Sequence, residues 1–230
     1  MITNINLSSL STPLYLLRYN FSTVSNNSVE FLKWFTGFSD AEASFSIIPK
    51  FNADRDISSF SFMFAIRLHI DDIEVLNHIK KNLGIGNVRT SGDKECVFTV
   101  TNKEGINYLI SIFDKYNLNT TKFLDYLDFK QAYTLYNNRQ KELTEILVDD
   151  ILSIKNKMNT QRIDFTMPHE VNISNSWLLG FIEGDGSFNF WRNDLLPVFS
   201  IALSDTQQFL LLKIKEFLVQ NLGFDDYSKY

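Results

Sequence analysis

The sequence of 230 residues contains little cysteine or histidine, the residues that form disulfides and many metal sites. One cysteine, Cys96, can form neither an intramolecular disulfide nor a cysteine-based zinc site, and we expect it to lie buried in a strand. The histidines, His69, His78 and His169, follow no metal-ligand spacing, which disfavours a histidine-based nuclease site. No apolar run is long enough to span a bilayer, so we expect no membrane partner.

Basic residues are also in deficit, with 22 Lys and Arg against 27 Asp and Glu and a net charge of -5. A nucleic-acid-binding domain is usually basic, but the placement of charges matters more than their total. Proline (4) and glycine (9) are sparse, whereas phenylalanine (21) is abundant. Such a skew is typical of AT-rich coding sequences, as in many organellar genomes, although a phenylalanine-rich core gives the same composition.

The most informative pattern is a twelve-residue segment that occurs twice, at 34–45 and at 177–188. Tryptophan, glycine, two phenylalanines and a serine recur in register, and two acids recur at matching positions. The two tryptophans, Trp34 and Trp177, lie 143 positions apart, and a second echo links Asn82–Ile85 to Asn221–Phe224 at an offset of 139. Two matches at nearly one offset indicate a duplicated domain.

The repeated acids are Asp40 and Glu42 in the first copy and Glu183 and Asp185 in the second. Each pair falls in the last turn of an apolar predicted helix, where the helix dipole disfavours carboxylates. Bringing the two ends together adds like-charge repulsion, which a divalent cation relieves. Hard oxygen ligands suit Mg²⁺, and such ions promote phosphodiester hydrolysis.

Small residues recur four positions apart within both motif helices. In one copy they are Gly37 and Ala41, and in the other Gly180 and Gly184. Small residues at this spacing lie on one helix face and allow two helix backbones to approach closely. We therefore expect the two motif helices to pack against each other.

The remaining pattern predicts the order of helices and strands. A flexible leader is expected over 1–28, the first domain over 29–158 and a linker over 159–174. The second domain, 175–230, is expected to be truncated, because counterparts of the second hairpin and of the helix after it are missing. The first repeat is predicted as helix 29–43, strands 44–51 and 59–70, a helix to 83 capped by Asp71–Asp72, hairpin strands 85–90 and 95–101, and helices 103–116, 121–138 and 141–158. The second is predicted as a helix, strands 187–191 and 198–203, and helix 205–221.

The segments 35–43 and 178–186 resemble the two signature motifs of single-chain LAGLIDADG homing endonucleases, many of which are encoded in introns of fungal mitochondria. The resemblance implies an α+β fold of duplicated αββαββα domains, with antiparallel sheets that form a DNA-binding saddle. It implies a monomeric, mitochondrial, Mg²⁺-dependent endonuclease that hydrolyses both strands of a double-stranded DNA target site.

The resemblance also implies a role for each matching residue. Glu42 and Asp185, at the eighth motif position, bind the metal and are catalytic. Asp40 and Glu183, at the sixth position, support the helix ends, together with the small residues of the motif helices. Candidate contacts to DNA are the basic residues of the first repeat: Lys50, Arg55, Arg67, His69, Arg89, Lys94 and Lys103.

Two substitutions depart from the family pattern. Ala43 replaces the last glycine of the first motif, and Ala65 stands at an outward strand position where relatives often carry a polar residue. Two alternatives to an active endonuclease stay open. One is a maturase that binds its host intron RNA and assists splicing without intact acids, and the other is a truncated frame that has lost cleavage.

Overall fold

The computed structural model describes residues 3–4, 29–139, 142–190 and 197–222. The chain divides into two compact units, one formed by residues 1–41 with 169–230 and the other by residues 42–168. The α-helices are α1 (Val29–Glu42), α2 (Ile73–Leu83), α3 (Lys103–Lys115), α4 (Lys122–Asn137), α5 (Glu145–Lys155), α6 (Asn175–Asp185) and α7 (Gln208–Leu222). The strands are β1 (Thr3–Asn4), β2 (Ala43–Phe51), β3 (Ile57–His69), β4 (Asn87–Ser91), β5 (Glu95–Val100), β6 (Gly186–Phe190) and β7 (Pro197–Leu203).

The unit of residues 42–168 contains an antiparallel sheet in the order β2-β3-β5-β4. Phenylalanines at alternate positions of β3 are buried, as the period of two predicts. Phe45 on β2 pairs with Phe64 and packs its ring against Phe113, Tyr126 and Phe129 of α3 and α4. One face of the sheet is therefore covered by helices, and the other face is directed outward.

One outward-facing residue of this sheet is less exposed than its position suggests. Ala65 was expected on the outward face, and its register agrees with that position, yet it is only 7% exposed. A methyl group between two neighbouring strands is short enough to be shielded by the side chains around it. Cys96 is buried in β5, as predicted.

The cap of α2 is also different from the prediction. A 3-10 turn over Ile70–Asp72 precedes α2, and the residue that accepts a hydrogen bond there is His69, whose ring receives the N–H of Asp71. Asp72, at the N-cap of α2, makes no side-chain capping bond. The end of α2 follows the expected pattern, because Gly84 adopts a left-handed conformation (φ 68°) and donates its N–H to the carbonyl of Lys80.

The predicted linker at 159–174 starts as an ordered segment packed on α4. A 3-10 turn covers Asn159–Gln161, and Arg162 then contacts Asp125 at 2.8 Å and Asp128 at 2.6 Å. In the sequence, one boundary of the compact units falls between residues 168 and 169, inside that linker. Residues 29–41 of α1 belong to the same unit as the second repeat. The predicted domain bounds stay a prediction.

The other unit contains the antiparallel sheet β1-β7-β6. Its core is built from Trp177, Phe181 and apolar residues of β7 and α7. Within the predicted leader, Thr3–Asn4 pairs with β7, while residues 5–28 lie outside the described residues. Residue 191 of the predicted strand and the echo at 223–224 also lie outside them, and the helix predicted from residue 205 begins as a 3-10 turn, Asp205–Gln207.

The structure confirms an α+β fold with antiparallel sheets. In the described part of the chain, no helix combines the length and the apolar character needed to cross a membrane.

Candidate functional site

The helices α1 and α6 approach each other at their glycines. A Cβ built on Gly37 would overlap the backbone carbonyl of Trp177, and a Cβ built on Gly180 would overlap the backbone carbonyl of Trp34. The overlap is with backbone atoms in both cases, so a rotamer change cannot relieve it. Ala41 packs beside the core that contains Trp177. The two motif copies are thus packed backbone against backbone, with the same residue at the contact on each side.

The same two tryptophans connect each helix to an acid of the other. Trp34 Nε1 donates to Glu183 Oε2 at 2.7 Å, and Trp177 Nε1 donates to Asp40 Oδ2 at 2.8 Å. Both acceptors occupy the sixth motif position. Hydrogen bonds to ionised carboxylates are stronger than those between neutral groups, and this reciprocal pair fixes the lengthwise alignment of the two helices.

The two acceptor acids have different surroundings. Asp40 is 3% exposed, whereas part of the Glu183 side chain reaches the solvent. The carboxylate of Glu183 nevertheless lies among enough protein atoms that burial raises its pKa, and the bond from Trp34 opposes that rise. Near the start of the helices, the Ser176 hydroxyl donates to Glu30, and this bond is the main reason that the pKa of Glu30 is lowered.

The predicted metal ligands are the final residues of their helices. Glu42 ends α1, Asp185 ends α6, and both are half-buried. The described residues contain no group of three or more His, Cys, Asp or Glu side chains that could enclose a metal. A carboxylate suits an ion such as Mg²⁺, which takes oxygen ligands, keeps several waters and also binds phosphate oxygens. The donor chemistry therefore fits a divalent metal.

The candidate DNA contacts are exposed residues of the unit of residues 42–168. Lys50, Arg67, His69 and Arg89 share the outward face of the sheet, because their register partners alternate with the buried phenylalanines. The other three lie at its ends or beyond: Arg55 in the loop after β2 with φ 68°, Lys94 in the β4–β5 turn, and Lys103 at the start of α3.

Two of these side chains already have acidic neighbours. Arg67 forms an ion pair with Glu95 at 2.9 Å, and His69 lies 3.1 Å from Asp71. Glu95 also stands directly opposite His69 in the register. The outward face is therefore mixed in charge, which agrees with the acidic composition of the chain.

The bonding role of the two tryptophans is not predicted from the sequence. Their recurrence six positions before an acid, from Trp34 to Asp40 and from Trp177 to Glu183, was visible as a pattern. A tryptophan in an apolar helix is expected to pack in a core, and each of these does so. Only the packing of the two helices shows that each indole N–H bonds the acid of the opposite copy.

Comparisons with known proteins define the class. A family model described as LAGLIDADG endonuclease matches residues 35–133. The LAGLIDADG homing endonuclease I-GzeII, solved in complex with its DNA target, is 30% identical, with a TM-score of 0.70 over 81% of this chain and 71% of that one. The meganuclease I-CpaMI, bound to uncleaved DNA, is 28% identical, with a TM-score of 0.72 over 86% of this chain and 74% of that one.

The sequence relatives agree with the solved structures. A probable intron-encoded endonuclease, Cox1-I1b of Schizosaccharomyces pombe, is 28% identical over 90% of this chain and 54% of its own length. The uncharacterized mitochondrial protein RF1 of Saccharomyces cerevisiae is 28% identical over 93% of this chain and 44% of its own length. The chain belongs to the LAGLIDADG homing endonuclease family. It spans about half the length of these two curated relatives, and endonucleases of this family depend on a divalent metal.

Proposed function

We propose that the chain is a site-specific DNA endonuclease that hydrolyses both strands of a double-stranded target. It acts as a monomer in mitochondria, and its metal is Mg²⁺, held by Glu42 and Asp185. The observation that carries the proposal is the reciprocal bonding of Trp34 to Glu183 and of Trp177 to Asp40. This pairing uses the sixth-position acids to align the helices, so the eighth-position acids are the ones assigned to the metal.

Each acid has a separate task in this proposal. Glu42 and Asp185 provide carboxylate oxygens to the metal and each serves one DNA strand, while Asp40 and Glu183 position the helix ends. Gly37 and Gly180 permit the close packing, and Ala41 and Gly184, one turn further on, are proposed to support it. Glu42 and Asp185 would hold a divalent ion, which when bound would supply an acidified water and stabilisation of the charge on the leaving oxygen. The protein itself binds the duplex and orients its scissile phosphates.

The outward face of the sheet in the unit of residues 42–168 is proposed to bind the duplex. Its serines and threonines are accompanied by Lys50, Arg67 and Arg89, which suit contacts to phosphates and to guanine edges. I-GzeII and I-CpaMI were solved in complex with DNA, which supports a DNA partner for the same fold here. His69, on the outward face at the end of β3, and Arg55, Lys94 and Lys103, at the ends of the sheet or beyond, are proposed as phosphate contacts.

A cleavage assay tests the function. The full chain is incubated with Mg²⁺ and a duplex that spans the junction of the exons flanking its own intron, with the two strands labelled by different dyes. We expect both strands to be cut by the wild type, and cleavage to be lost in Glu42→Gln and in Asp185→Asn. Asp149→Asn, at an exposed position of α5, is the matched control and should cleave normally. Cleavage without metal, or cleavage retained by both site variants, would refute the proposal.

One relative supports the alternative function of an RNA maturase. The intron-encoded RNA maturase bI4 of Saccharomyces cerevisiae is 23% identical over 85% of this chain and 25% of its own length. A splicing assay of the host intron with the Glu42→Gln/Asp185→Asn double variant separates the two functions. A maturase keeps its effect on splicing in this variant, whereas an endonuclease acting on DNA has no such effect to keep.

A further inference from the structure

Two arginines occupy equivalent places on the outward face of the sheet in the unit of residues 42–168. Arg67 on β3 and Arg89 on β4 are both in register with Val97 of β5, one on each side of it. Because adjacent strands lie about 4.8 Å apart, the two backbones are separated by about 10 Å. Val97 is only 2% exposed although it is on the outward face, as expected for a short side chain flanked by two long ones.

The two arginines differ in their neighbours. Arg67 Nη1 donates to Glu95 Oε2 at 2.9 Å and lies 3.5 Å from Ser91 Oγ. Both partners of the ion pair remain about half exposed, at 56% and 51% of their side-chain surface. Arg89, in contrast, has no acidic side chain within ion-pair distance among the residues that the structure describes.

An ion pair this exposed contributes little to folding stability. It does, however, determine what the arginine can bind. A phosphate that approached Arg67 would also approach the Glu95 carboxylate and be repelled by it. The edge of a base carries no net charge, so it meets no such repulsion. Arg89 has no carboxylate beside it and binds a phosphate without this penalty.

We infer that Arg67 and Glu95 together read one G·C base pair in the major groove, whereas Arg89 contacts a phosphate. The inference rests on the proposed DNA-binding function. A guanidinium has five N–H donors, so the bond to Glu95 leaves enough of them to reach O6 and N7 of guanine. Glu95 keeps a second carboxylate oxygen, which accepts from the N4 amino group of cytosine. Glu95 is thereby a specificity-determining residue as well as the partner that orients Arg67.

Selection from a duplex library with a randomised central segment tests this assignment. The full chain is used with Ca²⁺, since I-SmaMI was solved with uncleaved DNA in the presence of calcium ions. We expect the wild type to enrich G·C at one position, and Arg67→Gln and Glu95→Gln to lose that preference at the same position by about 5- to 150-fold. Arg89→Gln should keep the preference and reduce the slope of log affinity against log salt by about 1.

Two further variants control for charge and folding. Asp93→Asn removes an exposed carboxylate from the adjacent turn and should leave the preferences unchanged. Arg67→Lys keeps the charge but lacks the planar fork, so it should lose the G·C preference with an unchanged salt slope. Unchanged preferences in Arg67→Gln and Glu95→Gln would overturn the inference and leave DNA recognition intact. A wild-type chain that enriches no sequence would overturn the proposed function itself.

Discussion

The strands that follow the two motif copies both carry a serine and a phenylalanine at their second and third positions, but the two phenylalanines differ in exposure. Phe45 on β2 is 2% exposed and packs against rings from α3 and α4. Phe188, its counterpart on β6, is 60% exposed, and its ring contact in the described part of the chain is Phe199 at 4.9 Å. The same motif phenylalanine is therefore buried in one unit and exposed in the other, because its burial depends on what packs against the strand.

In the motif helices, by contrast, equivalent residues have equivalent contacts in both copies. Gly37 and Gly180 make matching backbone contacts, and the tryptophans bond the acids reciprocally. Parts of the repeat that contact their own counterpart are constrained in both copies at once. Parts of the repeat that face other elements are free to differ.

The largest expected effect comes from the equivalent glycine contacts of the two motif helices. Gly37→Ala and Gly180→Ala should each destabilise the fold by about 4 kcal/mol or more, because the new methyl group meets a backbone carbonyl. This exceeds the gain of about 1 kcal/mol that alanine usually brings to a helix. Chemical denaturation measures both values. Gly92→Ala, with open space around it but φ 67°, is the control and should cost about 1 to 2 kcal/mol.

The next largest effect is the difference in stability cost between equivalent substitutions in β2 and β6. Phe45→Ala should cost about 3 to 5 kcal/mol, because it removes a ring from a packed core. Phe188→Ala should cost about 1 kcal/mol, since most of that ring is already in water. The free energies of unfolding from urea titrations compare them directly. Equal losses would show that Phe188 is as closely packed as Phe45.

A smaller difference in stability is expected between the variants that remove the two indole hydrogen bonds. Trp177→Phe removes the indole donor from the buried Asp40 and should cost about 2 to 3 kcal/mol. Trp34→Phe removes the donor from Glu183, which water can partly solvate, and should cost about 1 kcal/mol. Thermal unfolding of both variants ranks them. The reverse order would contradict the assignment of Asp40 as the more deeply buried acceptor.

The smallest effects concern pH. The raised pKa of Glu183 means that its charged form opposes folding, so stability is lost as the pH rises from 4.5 through the folded-state value. The lowered pKa of Glu30 has the opposite sign, since it contributes stability above pH 4.5 that is lost as the pH falls through the folded-state value. Glu183→Gln should remove the first dependence and Glu30→Gln the second. Melting temperatures of the wild type and of both variants, measured across pH 3 to 7, show whether each glutamate changes stability with pH in the predicted direction.

Much of the fold was predictable because its signals are local. The alternation of phenylalanines predicted β3, and the turn at 91–94 predicted the hairpin. The cap by His69 was missed because Asp71 and Asp72 are stronger N-cap residues by type. Ala65 was placed on the correct face but its burial was not foreseen, because shielding comes from neighbouring strands. The indole bonds were missed because they join residues 137 and 149 positions apart.

The central claim is that each motif copy contributes one acid to the metal-dependent chemistry. Mg²⁺ is replaced with Fe²⁺, and hydrogen peroxide and ascorbate are added. Fe²⁺ reduces the peroxide to hydroxyl radical and hydroxide, ascorbate regenerates Fe²⁺, and the radicals cut the polypeptide near the bound metal, where mass spectrometry locates the cuts. With the duplex bound, we expect cuts near Glu42 and near Asp185, both lost in the Glu42→Gln/Asp185→Asn double variant and retained in Asp149→Asn. Cuts confined to other segments, or unchanged by the double variant, would contradict the account.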